Sequence, residues 1–148
     1  MKLTLVSIAG RARSDHFDAL VGEYVSRTAA YAPTETAVYR TSKLFFESLE
    51  KQRTRTAAAL VLLDSRGRQF SSEELAGWLG RQRDEGRQRV IFAIGPADGW
   101  SSDERAQAGL LLSLGAMTLP HELARVVLSE QVYRAFTILA GHPYHSGH

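Results

Sequence analysis

Imidazole and phenol groups gather near the end of this chain. Gly141 is followed by His142-Pro143-Tyr144-His145, and His121 stands directly after Pro120 at the far end of the same segment. A neutral histidine can accept a proton near pH 7, and a tyrosine ring can stack on a nucleobase. His142, His145 and His148 recur every third residue, which invites a metal; no carboxylate lies among them, and no metal is expected. Three turns could hold a ligand: Leu63-Asp-Ser-Arg-Gly67, Ile94-Gly-Pro-Ala-Asp-Gly99 and Leu114-Gly-Ala-Met-Thr-Leu119. Each follows an apolar run, and glycine there lets backbone N–H and C=O groups approach a ligand closely. By residue type alone, His121 equally suits a capping or packing role.

These groups need a frame. Lys2–Ile8 reads as an apolar strand, and Asp15 or Ser14 can cap a helix running to about Ala30, with Phe17, Leu20, Val21, Tyr24 and Val25 at helical spacing. Ala37–Tyr39 is a short strand, Leu44–Thr56 a helix with a charged face, and Ala59–Leu63 a buried strand. Arg66-Gly67-Arg68 has the composition of a turn. Ser71-Ser-Glu-Glu74 and Ser101-Ser-Asp-Glu104 both have capping-box spacing. The first opens a helix to about Glu85, the second a short one. Val90–Ile94 and Leu110–Leu114 are further strands, and Pro120–Ala140 is the last helix, closed by Gly141. Strands alternating with helices, several of them continuously apolar, predict a parallel sheet covered on both faces.

In the last helix, Val126, Tyr133, Phe136 and Ala140 form one apolar row, and Leu128, Val132, Ala135 and Leu139 a second. One such stripe serves a surface helix. Two predict the sheet on one side and, most simply, a second copy of the chain on the other.

The 148 residues suit one domain spanning 1–148. There is no cysteine, which removes disulfides and thiolate chemistry. No apolar run approaches the roughly 20 residues of a membrane span, so a cytoplasmic protein is expected. The net charge of +2 is compatible with RNA without requiring it. Arginines cluster at Arg11 and Arg13, Arg53 and Arg55, Arg66 and Arg68, and Arg81 to Arg89. Each cluster is a solvated face or, if several met on one rim, a phosphate-binding surface. Arg125 and Arg134 are open to the same two readings, with Glu122 and Glu130 at ion-pair spacing.

The Thr118-Leu-Pro-His121 turn, Ala124-Arg-Val-Val-Leu128, Glu130-Gln-Val-Tyr-Arg-Ala135 and Pro143-Tyr-His145 closely resemble the bacterial methyltransferases that modify N3 of a pseudouridine in large-subunit ribosomal RNA, members of the knotted SPOUT class. Thinner similarity reaches Lys2–Val6, Glu23-Tyr24, Leu63-Asp64 and Ile94-Gly95. The resemblance implies an α/β, three-layer parallel-sheet SPOUT fold with a C-terminal trefoil knot. It implies S-adenosyl-L-methionine bound by Leu63, Gly95, Leu114, Gly115, Ala116, Met117, Thr118 and Leu119, with His121, Tyr144 and His145 near the chemistry. Arg11, Arg125 and Arg134 are the RNA-contacting candidates. It also implies a homodimer on the ribosome, the tail of one subunit completing the site of the other. Two positions depart from the family pattern. Ile94-Gly95-Pro96 replaces Ile-Gly-Gly, which removes an N–H donor, and Ser146 replaces a basic residue. A non-catalytic ribosome-binding protein of this fold, or a methyltransferase of another RNA such as tRNA, is the alternative.

Overall fold

A computed structural model describes residues 1–10, 15–53 and 57–146. The elements run β1 (Lys2–Ile8), α1 (Asp15–Thr28), β2 (Thr34–Tyr39), α2 (Ser42–Gln52), β3 (Ala58–Gln69), α3 (Ser72–Asp84), β4 (Arg89–Ile94), α4 (Ser102–Ala106), β5 (Leu110–Ser113) and α5 (His121–Ala140), with a 3-10 turn at Pro143–His145. The strands form one sheet in the order β2-β1-β4-β3-β5, and every pairing is parallel. Among the described residues no helix is long and apolar enough to cross a membrane.

Side-chain alternation sorts the strands onto two cores. Leu3, Leu5, Val61, Val90 and Phe92 meet Leu75 and Leu79 of α3 and Leu128 and Val132 of α5. Val6, Ile8, Leu60, Leu62, Ile91 and Ala93 meet Phe45 of α2 and Trp100. Because both faces are covered, the strands carry near-continuous apolar runs. Each fully buried Leu or Phe contributes roughly 1.5–3 kcal/mol. The two capping boxes form as the spacing predicts, at Ser71–Glu74 and Ser101–Glu104. Gly141 closes α5 in the left-handed conformation at φ 70°, and His142 N–H then reaches Thr137 O at 2.9 Å.

Three sequence expectations change. Arg66-Gly67-Arg68 is not a turn; it lies inside the 12-residue β3. Strand β3 pairs with Leu112 at Leu63, bulges out, and meets Leu112 again at Arg68. Gly67 passes so near β5 that a Cβ would lie 2.6 Å from the carbonyl carbon of Leu111. Second, α2 begins earlier than Leu44, because the Thr41 hydroxyl accepts the Leu44 N–H at 3.2 Å and caps it. The expected end at Thr56 lies outside the described residues.

The third change concerns the row of α5 that carries Tyr133 and Phe136, which is covered within the chain. Tyr133 packs against Tyr24 and Tyr31 at ring separations of 6.2 and 6.4 Å, and Tyr31 stacks on Phe136 at 6.1 Å. Helix α1 therefore supplies the partner surface that the row was expected to find on a second copy.

Candidate active site

The bulge of β3 after Leu63 and the carboxyl ends of β4 and β5 border a cavity of about 600 Å³. That is where open parallel sheets bind ligands, and the volume suits a small-molecule site. Leu63, Gly95 and the whole stretch Leu114–Leu119 line it, together with His121. Three turns far apart in sequence thus converge on one wall. Ala116, Met117 and Thr118 form its open lip; Met117 is 85% exposed.

Residues that composition did not single out give the cavity its shape. The Trp100 indole donates Nε1–H to the Leu63 carbonyl at 2.9 Å, and a Cβ on Gly95 would stand 2.7 Å from the same ring. Glycine at 95 is required by that approach, since its φ is not positive. Gly115 is different: its φ is +140°, a conformation other residues rarely adopt. The buried Ser113 hydroxyl fixes this turn, accepting the Gly115 N–H at 3.2 Å and donating to the Gly115 carbonyl at 2.9 Å. Pro96 opens a turn, its carbonyl accepting the N–H of Gly99, whose φ is +80°. The Asp64 side chain is only 7% exposed. It accepts the Arg66 N–H at 2.8 Å and faces the guanidinium groups of Arg66 and Arg105 at 3.7 and 3.4 Å. An Asp-Ser-Arg-Gly run hides such a role, because the same residues suit any exposed turn.

His121 begins α5 at the cavity wall, and its Nε2 is buried without a hydrogen-bond partner. An unpaired buried imidazole nitrogen costs about 1–3 kcal/mol and favours any ligand group that pairs with it.

Tyr144 and His145 lie elsewhere. They fold back onto the middle of α5, where the Tyr144 hydroxyl donates to Glu130 Oε2 at 2.6 Å and its ring meets Tyr133 edge-on at 4.8 Å. His145 Nδ1 is 2.9 Å from Arg134 Nη1, and its Nε2 is 2.6 Å from Glu73 Oε1 on α3. Burial and the Glu130 carboxylate push the Tyr144 phenol up to about 12. The contact with His145 holds the exposed Glu73 carboxyl below its usual range. Glu130 lies nine residues beyond His121 on α5, about 14 Å along the axis at the α-helical rise. Neither Tyr144 nor His145 lines the cavity of its own chain.

Of the arginine candidates, Arg11 lies outside the described residues. The Arg125 side chain is 13% exposed and bridges Asp18 of α1 at 2.8 Å and Glu122 at 2.6 Å. It ties α1 to α5, away from open solvent. Arg134 pairs with Glu130 at 2.9 Å and lies 4.9 Å from the Tyr144 ring centre, serving the tail. Among the described residues no cluster of His, Asp and Glu suited to a metal ion occurs.

Residues 1–145 match the family model described as a predicted SPOUT methyltransferase. The chain belongs to this family. It is 51% identical over 148 residues to "Ribosomal RNA large subunit methyltransferase H" of Koribacter versatilis, covering all of both chains. A protein of the same name from Brucella ovis is 53% identical over 88 residues, 60% of this chain and 52% of that one. Among solved structures, the SpoU methyltransferase AviRb of Streptomyces viridochromogenes, crystallised with AdoMet, aligns at TM-score 0.50 and 12% identity over 95% of this chain and 58% of its own. At that identity the likeness concerns the fold alone.

Proposed function

We propose that this chain is an S-adenosyl-L-methionine-dependent methyltransferase of large-subunit ribosomal RNA that methylates N3 of a pseudouridine. One observation carries the reading: Leu63, Gly95 and Leu114–Leu119 converge with His121 on one cavity in a SPOUT chain. The full-length relative from Koribacter, named for this substrate class, supports the choice of RNA.

The residues present fit the cofactor. Two glycine turns expose backbone to an adenine edge, the apolar Leu63, Leu114 and Leu119 can enclose its ring, and Nε2 of His121 lacks a partner. When bound, the cofactor supplies a sulfonium methyl: the N–CH₃ bond forms, the S–CH₃ bond breaks with its electron pair returning to sulfur, and the N3 proton is released. The walls contribute alignment, which can supply roughly 7–11 kcal/mol at best. Asp64, held between Arg66 and Arg105, keeps the β3 turn in shape while these groups bind.

The active form is a homodimer, with the tail of one subunit at the cavity of the other. The distance along α5 between His121 and the seat of Tyr144 supports this, because one chain alone leaves the cavity without its tail. Leu20 on α1 and Leu123 on α5, 47% and 42% exposed, are apolar side chains that a second copy would cover. The enzyme works in the cytoplasm on the assembled ribosome, since +2 per chain is modest for gripping naked RNA by its phosphates. The trefoil knot belongs to the same reading; the match of residues 1–145 to the SPOUT methyltransferase family supports it.

Calorimetric titration with S-adenosyl-L-methionine tests the first part, and binding is expected. Ribosomes from cells lacking the methyltransferase should then accept a labelled methyl group, and deproteinised RNA much less. No heat at saturating cofactor leaves a non-catalytic binding protein. Labelling of tRNA alone moves the substrate.

A further inference from the structure

The tail is fixed by a polar chain reaching across two helices, and its donors and acceptors can be assigned. A guanidinium has N–H donors and no acceptor. His145 Nδ1, 2.9 Å from Arg134 Nη1, therefore receives a hydrogen bond and carries no proton. A carboxylate only accepts. His145 Nε2, 2.6 Å from Glu73 Oε1, therefore carries the ring proton and donates it. One neutral tautomer satisfies both contacts, and a proton on Nδ1 would set N–H against N–H.

The surroundings hold both partners in place. Arg134 is gripped by Glu130, which also accepts from the Tyr144 hydroxyl at 2.6 Å. The start of α3 is tied to α5 beside Glu73, with Ser72 Oγ donating to Gln131 Oε1 at 2.7 Å and Gln131 Nε2 donating to Glu130 at 3.1 Å. Tyr144 is likewise a donor, to Glu130, and the one ring acceptor of His145 is already filled by Arg134.

We infer that Glu73 is a positioning residue for the reaction: with Arg134 it fixes His145 as the neutral Nε2–H tautomer, so that His145 holds the tail in place through both ring nitrogens and is not the acceptor of the N3 proton. The inference rests on the methyltransferase reading above for its consequence in catalysis. It does not rest on that reading for the tautomer, which is a property of the free protein.

Nitrogen-15 NMR of histidine-labelled full-length protein at pH 8, with His145 identified by its loss in His145→Gln, reads the tautomer directly. Expected are two well-separated signals, Nδ1 unprotonated and Nε2 protonated, moving toward averaged positions in Glu73→Ala and restored in Glu73→Gln. A proton on Nδ1 in the unsubstituted protein overturns the assignment. Methyl transfer to ribosomes supplies the second measurement. Glutamine can accept from Arg134 and donate to Glu73 but cannot take up a proton near neutral pH. His145→Gln should therefore stay within about tenfold of the unsubstituted rate with the same pH profile, while His145→Ala falls further. Glu73→Ala should lower kcat about tenfold with cofactor affinity unchanged, and Glu73→Gln should recover it. A His145→Gln protein as inactive as His145→Ala makes His145 the proton acceptor and overturns the inference. If the unsubstituted protein transfers no methyl group, the methyltransferase reading fails, and the NMR result still decides the tautomer.

Discussion

Trp100 and Gly95 are a matched pair. The indole lies where any side chain on residue 95 would have to be, and its N–H holds the Leu63 carbonyl at 2.9 Å. One ring thus sets the spacing between the β3 and β4 turns that form the cavity wall. Gly95→Ala should overpack this contact, costing about 1–3 kcal/mol and lowering Tm by roughly 3–10 °C. Trp100→Phe keeps the ring and loses the hydrogen bond, a smaller cost of about 1 kcal/mol. Thermal melts order the two, and calorimetry should show weaker cofactor binding for both. A Gly95→Ala protein as stable as its parent contradicts the pairing.

Gly115 should behave differently because its constraint is backbone. At φ +140° with open space where a Cβ would stand, Gly115→Ala meets no clash but carries strain of about 1–3 kcal/mol. The turn should relax to another conformation, leaving the sheet folded and cofactor binding lost. Ser113→Ala removes the hydroxyl bonded to both polar groups of Gly115 and should weaken binding in the same direction, by about tenfold. Unchanged cofactor affinity in both variants separates this turn from the site.

The borders of the cavity were legible because apolar runs stop abruptly at Leu63, Ile94 and Leu114, the last two followed directly by glycine. The tail was legible only as a collection of proton-bearing types; that Glu73, on another helix, meets His145 is a contact 72 residues long that no local pattern announces. Gly67 misled for a physical reason. A glycine between two arginines suits a turn and a close crossing of backbones equally, and only the position of β5 decides. Nothing in the sequence pattern marked Trp100, and Ser113 lay inside the strand read over Leu110–Leu114. The Tyr133 row of α5 was real, but α1 could have been counted as its cover, since Tyr24 lies at helical spacing there.

The tyrosine network gives a pH signature. The Tyr144 phenol is raised to about 12 from an ordinary value near 10, so its neutral form is favoured by folding. Its stabilising contribution is complete below pH 10 and is lost as pH rises through about 12. Ultraviolet titration should show one tyrosine ionising later than the rest, a step absent from Tyr144→Phe. From pH 7 to 9 that step should be silent. An ordinary phenol at position 144 contradicts the contact with Glu130.

The dimer face is tested by exposed residues only. Leu20→Glu with Leu123→Glu should shift sedimentation from twice 16.4 kDa to a single chain while the circular dichroism stays unchanged. Val132→Asp, by contrast, places a charge at a fully buried site and should unfold the chain whatever its oligomeric state. A parent protein sedimenting as one chain removes the shared site.

The three turns of the cavity also set a timetable for synthesis. Leu63 leaves the ribosome early, Ile94 and Gly95 next, and Leu114–Leu119 only when little more than α5 and the tail remains to be made. Strand β3 therefore waits with its outer edge bare until β5 arrives to press against Gly67. A nascent chain arrested near residue 100 owns four of the five strands and no cofactor site. Its vulnerable interval is the wait itself, when an unpaired apolar strand is open to the wrong neighbour.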